Sequence, residues 1–226
     1  MRLPKSSIGK KALMSVTGLV LFGFVVMHML GNLQIFLGPE ALNSYAATLQ
    51  SLPELLWLAR TILLTCLIFH LWAAAVLTLE NRRARPVGYQ MKSSIVASFA
   101  SKTMMISGLT ILFFIIYHLL HYTFGVFQPE NFHLVDAKGR HDVYAMVVAG
   151  FKHRSVSLTY IVAMGLLALH LKHGASVWPQ SLGLQNEKLR RPMELFGCVA
   201  SLAIFWGNSA IPLAILSGLI QMPMKS

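Results

Sequence analysis

The sequence predicts an all-α fold, an integral membrane bundle of five transmembrane helices. Three observations predict it. Of 226 residues, 55% are hydrophobic and only 12% are charged, about half the charged share of an ordinary soluble domain. Five apolar runs each reach the roughly 20 residues that a helix needs to cross a bilayer core. None of the runs alternates polar with apolar residues, so they read as helices and not as barrel strands. No soluble catalytic unit and no nucleotide-binding glycine pattern interrupts them, so residues 1–226 read as a single membrane domain.

The first span is expected at about 11–37. It is too long for a signal peptide, and no small-residue cleavage site follows it, so it is expected to remain as a helix. The second, third, fourth and fifth spans are expected at about 56–79, 103–125, 155–177 and 195–220. Loop charge orients them. MRLPKSSIGKK carries four Lys and Arg, and the first loop, 38–55, carries none. NRRARPVGYQMK together with Lys102 carries five, and Lys188, Arg190 and Arg191 follow the fourth span. The long third loop, 126–154, mixes signs. This pattern places the N-terminus inside and the C-terminus outside. The net charge of +11 is mostly this inside bias, with a basic face suited to acidic partners or anionic lipid. No aromatic-interleaved basic stripe points to nucleic acid. Within the third loop, DVYAMVVAGF reads as a short helix on the outer membrane surface. Cys66 and Cys198, one in each of two spans, read as small buried hydrophobes.

Histidines carry the functional signal. His28, His70, His118 and His170 occupy four successive spans. TGLVLFGFVVMH and SGLTILFFIIYH repeat one pattern, [ST]-G-L, eight residues, His, so Gly18 and Gly108 each precede a histidine by ten. At 1.5 Å per residue, His28 and His118 lie roughly 25 Å from the inner basic markers. His70 lies about 18 Å from its own inner marker, and His170 also falls in the inner half. The four sort into an outer pair, His28 with His118, and an inner pair, His70 with His170.

Two imidazoles at one depth can clamp a haem iron from opposite faces, with the macrocycle in the bundle core. Burial in lipid favours the neutral imidazole that ligation requires. Gly18 and Gly108 sit about 15 Å below their own histidines, near the inner pair, where a missing side chain leaves room for a flat ring. Zinc is the rival reading, since HLLH and HLKH pair His118 with His121 and His170 with His173 at i, i+3. No Cys, Asp or Glu supports it at those depths. His121 and His173, one turn nearer the surface, read either as wet interfacial residues or as contacts to a haem propionate or quinone. His133, His141 and His153 read as surface residues. The spans hold no Asp or Glu, and Lys11, Arg60 and Lys172 stand only near their ends. Proton-coupled transporters need intramembrane carboxylates, so the pattern favours electron transfer over transport.

HMLGNLQIFLGPEALNSYAATLQSLP, FFIIYHLLHYTF, LHLKHGASVWPQSLGLQ and GNSAIPLAILSG together resemble the five-helix, di-haem cytochrome b anchor subunits of succinate:quinone oxidoreductases. The resemblance runs over about residues 15–218. It implies that His28 and His118 ligate the outer haem and His70 and His170 the inner haem. It implies a flavoprotein subunit and an iron–sulfur subunit docked on the cytoplasmic face of a bacterial-type cytoplasmic membrane. Electrons from succinate would then pass through two b haems to a quinone, menaquinone being the usual acceptor. Asn32, Gln34 and His121 are the polar groups nearest the outer haem and so the quinone candidates. Asn32 and Gln34 read equally well as helix-end hydrogen-bonding residues. A fumarate reductase anchor remains the alternative, and the cytochrome b of another quinone-linked dehydrogenase a more distant one.

Overall fold

A computed structural model describes residues 6–84, 103–184 and 186–222. Residues 1–5, the basic segment 85–102 and Gln185, on which part of the expected orientation and one quoted motif rest, lie outside the described residues. Among the described residues there is no strand, only an isolated antiparallel bridge between Val135 and His141.

Helix α1 spans Ser7–Asn32 and continues through a 3-10 turn, Leu33–Leu37. Its first turn is capped by Ser6, whose hydroxyl accepts from the Gly9 amide at 3.0 Å, satisfying one otherwise orphan donor. Then come α2 (Pro39–Gln50) and α3 (Pro53–Arg83), each opened by a proline at a first-turn position where no amide is needed. Helix α4 (Met104–His118) runs directly into a π turn, Leu119–Thr123. After it stand the one-turn α5 (Pro129–Phe132), α6 (Val143–Lys152), α7 (Arg154–Ser181) and α8 (Glu187–Leu216).

Five segments are long and apolar enough to cross a membrane: Ser7–Leu37, Pro53–Arg83, Met104–Thr123, Arg154–Ser181 and Glu187–Leu216. They coincide with the five expected spans but overrun several of the apolar runs. Helix α3 extends to Arg83, where Arg82 and Arg83 in the last turn meet the negative end of the helix dipole. Helix α8 begins at Glu187, eight residues before its apolar run, because Asn186 caps it and accepts from the Leu189 amide at 3.0 Å. It stops at Leu216 and not at 220, where the chain turns through Gly218 at a φ of +79°. The first loop is not irregular, since most of 38–55 is the 12-residue α2. DVYAMVVAGF forms α6, with Asp142 accepting from the Ala145 amide at 3.0 Å.

The best-buried apolar cluster sits at one end of the bundle. Ile35, Leu42, Val148, Phe151, Tyr160 and Ile211 pack there, so the 3-10 turn, α2, α6 and the ends of α7 and α8 close over it. Elsewhere the long helices show large apolar side chains outward. Trp57, Phe113 and Trp206 are 64, 63 and 60% exposed, as lipid-facing positions would be.

Candidate functional site

Four of the bundle's histidines meet in two pairs. The rings of His28 on α1 and His118 on α4 have centres 5.6 Å apart. Those of His70 on α3 and His170 on α7 have centres 6.5 Å apart. As whole residues in the isolated chain, His28 is exposed and the other three are half-buried.

The glycines fix the layering. A Cβ at Gly18 would stand 3.1 Å from Cε1 of His70, and one at Gly108 would stand 3.4 Å from Cε1 of His170. Each glycine therefore lies level with the inner pair, while ten residues on, about 15 Å along the helix, its own helix reaches the outer pair. Helices α1 and α4 thus run the same way. Helix α7 runs the opposite way, because Tyr160 stands at the outer pair and His170 at the inner one. Helix α3 also opposes α1: Lys10, near the start of α1, pairs with Glu80, near the end of α3. In this structure the space left at the two glycines is filled by the inner imidazoles themselves.

Hydrogen bonds aim the rings. Nδ1 of His70 lies 3.1 Å from the Met14 carbonyl oxygen and 3.4 Å from Thr17 Oγ1. A carbonyl only accepts, so Nδ1 carries the proton and Nε2 keeps its lone pair. Nδ1 of His170 lies 3.3 Å from Ser107 Oγ, and Nδ1 of His118 lies 3.4 Å from the Tyr160 hydroxyl. Among the described residues, Nε2 of His28, His70, His118 and His170 meets no protein hydrogen-bond partner. Each pair therefore presents ring nitrogens that no described protein group engages.

The remaining candidates separate. His121 is only 3% exposed; its Nδ1 lies 3.2 Å from the Tyr160 hydroxyl and its Nε2 3.5 Å from Gln128 Oε1. It is a sealed residue of the outer layer and not a wet rim histidine. The π turn carries it there, and such turns recur at functional sites. Asn32 donates its amide to the His28 carbonyl at 2.9 Å, closing the end of α1. Gln34 is half-buried in the 3-10 turn, and His173 is half-buried one turn past His170. Cys66 and Cys198 are free thiols. Among the described residues, no three His, Cys, Asp or Glu side chains gather to share an ion, so neither HLLH nor HLKH draws in a third donor.

No protein-family model, curated protein or solved structure matches this chain.

Three side chains of the site, Thr17, Ser107 and Tyr160, escape a reading that follows histidines alone. A signal existed for each. Thr17 and Ser107 are the [ST] of the repeated [ST]-G-L, and Tyr160 precedes His170 by the same ten residues that separate the two layers.

Proposed function

We propose that this chain is the membrane-anchor cytochrome b subunit of a succinate:quinone oxidoreductase, with two b haems and a quinone, expected to be menaquinone, as electron acceptor. The observation that supports it best is the paired, protein-oriented imidazoles. A metal–imidazole bond is about 2 Å long and the ring centre lies about 1 Å behind its nitrogen, so two rings gripping one ion have centres about 6 Å apart. The two pairs, at 5.6 and 6.5 Å, bracket that value. A pair supplies only two donors, too few for the closed four-ligand shell of structural zinc. A haem would bring four nitrogens of its own, so that His28 with His118, and His70 with His170, would suffice to hold one each. The donor set therefore fits haem.

When bound, each haem supplies reversible one-electron exchange at its iron. The chain's own work is orientation. Met14, Thr17 and Ser107 hold the inner histidines by Nδ1, and Tyr160 holds His118. Apolar span residues keep water and counter-charge away. Succinate chemistry belongs to a flavoprotein subunit, linked through an iron–sulfur subunit on the basic, cytoplasmic face, so no group of this chain touches the dicarboxylate. Gln34, near the outer layer, would meet a quinone carbonyl, whereas the ring nitrogens of His121 already face Tyr160 and Gln128. Asn32 contributes less, because its amide already serves the His28 carbonyl.

A reduced-minus-oxidised spectrum of the purified complex tests the reading. A b-type signal with two haems per chain is expected. His70→Ala and His170→Ala should each remove the inner haem and keep the outer, whereas a folded complex without haem, or one that loses only the outer haem in these variants, would reject it. Assays in both directions distinguish succinate oxidation from fumarate reduction.

A further inference from the structure

The inner histidines are held by the same device twice. M-x-x-[ST]-G occurs at 14–18 and again at 104–108. In each copy the hydroxyl side chain is buried, Thr17 at 5% and Ser107 at 1% exposure. Each hydroxyl donates back along its own helix. Thr17 Oγ1 lies 2.8 Å from the Leu13 oxygen and 3.2 Å from that of Met14, and Ser107 Oγ lies 3.1 Å from the Met104 oxygen. The single hydroxyl proton is thereby committed, and what each oxygen can offer the imidazole is a lone pair. The glycine that follows lets the ring come close, since a Cβ there would stand 3.1 or 3.4 Å from the ring carbon. The outer pair lacks this device. His118 is held instead by a phenol that it shares with His121.

We infer that Thr17 and Ser107 are matched positioning residues that act on the Nδ1 edge of His70 and His170 as acceptors beside the main chain, the Met14 carbonyl being the nearer acceptor for His70 at 3.1 Å, so that each hydroxyl lone pair adds to the electron donation of its inner ring and leaves Nε2 free for a metal. This rests on the haem reading above and assigns the inner site a control on its potential that the outer site does not share. A partner that accepts from Nδ1–H makes the imidazole a stronger donor and favours the oxidised metal. The bland alternative is ordinary back-bonding of Ser and Thr to their own helix. That alternative leaves the potential alone, because the helix keeps its backbone bonds without the hydroxyl.

The test uses the assembled complex with its partner subunits. Thr17→Val, Ser107→Ala and the double variant are compared by redox-poised optical titration and by haem content. The inner component is assigned from its absence in His70→Ala. The expected result is two haems per chain, an inner midpoint potential that rises in each single variant and further in the double, and an outer potential that stays put. Thr17→Ser should restore the wild-type value. Two haems with an unmoved inner potential, or an equal rise in both components, would overturn the inference while leaving the haem reading intact. If Thr17→Val loses the inner haem, Ser107→Ala, the smaller change, is judged by the same two outcomes. A wild-type complex without haem would fail the functional proposal itself and with it this one.

Discussion

One hydroxyl serves two histidines at the outer layer. The Tyr160 oxygen lies within 3.4 Å of His118 Nδ1 and 3.2 Å of His121 Nδ1. Its ring packs edge-on against Phe114 and Phe151, both with centres at 4.9 Å. Buried polar groups must be paired, and a deleted partner leaves the others to bear the desolvation cost. Tyr160→Phe keeps the ring and its packing, so the expected effect is the polar term alone, about 1–3 kcal/mol of stability. Thermal unfolding in detergent measures it, and a variant as stable as the parent would show that the hydroxyl is no partner. Similar reasoning separates His121 from the four paired histidines: its ring nitrogens meet Tyr160 and Gln128, so it shapes the outer layer as it stands.

At the scale of elements, the outer end is closed by a lid of α2, the turn at 134–142 and α6. Asn43, 2% exposed, joins all three: its amide donates to Asp142 Oδ1 at 2.9 Å, and its carbonyl accepts from the Tyr144 amide at 2.9 Å. Asn43→Ala strands the Tyr144 amide and takes from Asp142 Oδ1 one of its two donors, the Ala145 amide remaining, and a loss of about 1–3 kcal/mol is expected, read as faster proteolysis within 126–142. Around it Arg140 bonds Glu40 at 2.8 Å and Asp136 at 2.7 Å, and Lys138 bonds Glu40 at 2.7 Å. Arg140, with Lys138 and Ser44, holds the Glu40 carboxyl down from 4.5 to about 2, and Arg140 likewise holds Asp136 below its usual range. A depressed carboxyl stabilises the fold above its unfolded value, and that contribution fades as pH falls toward the folded one. The melting temperature should therefore drop between pH 4.5 and about 2, less so in Glu40→Gln and less so in high salt, since Glu40 and Lys138 are exposed and screened. An identical acid slope in Glu40→Gln would remove this cluster as the cause.

For the whole molecule, the histidine layers and the antiparallel course of the helices impose a direction on the bundle. The closed lid lies beyond the His28–His118 layer, and the Lys10–Glu80 pair marks the opposite end. The orientation expected from loop charge would put the Lys10 end in the cytoplasm and the lid outside. A phosphatase that works only outside the membrane, fused after Ser226, should be active, and the same enzyme at the N-terminus inactive. The reverse pattern would invert the proposed docking face. The exposed apolar belt carrying Trp57, Phe113 and Trp206 belongs to the same scale. Among the described residues its side chains find no partner layer, an arrangement compatible with helices that lie in a bilayer.

The sequence by itself determined five apolar helices, their approximate ends and the sorting of four histidines by depth, because helix rise is constant and a run too apolar for water has few alternatives. It also marked α6, through the short apolar stretch DVYAMVVAGF in the third loop. Only the tertiary structure decided what lies beside each histidine. The α2 helix within an expected loop, the π turn that seals His121, the shared Tyr160 hydroxyl and the Thr17 and Ser107 contacts all depend on neighbouring helices meeting at angstrom distances. Spacing along one chain records height, but not which side of a helix faces which neighbour, and that rotation is set by packing across the bundle.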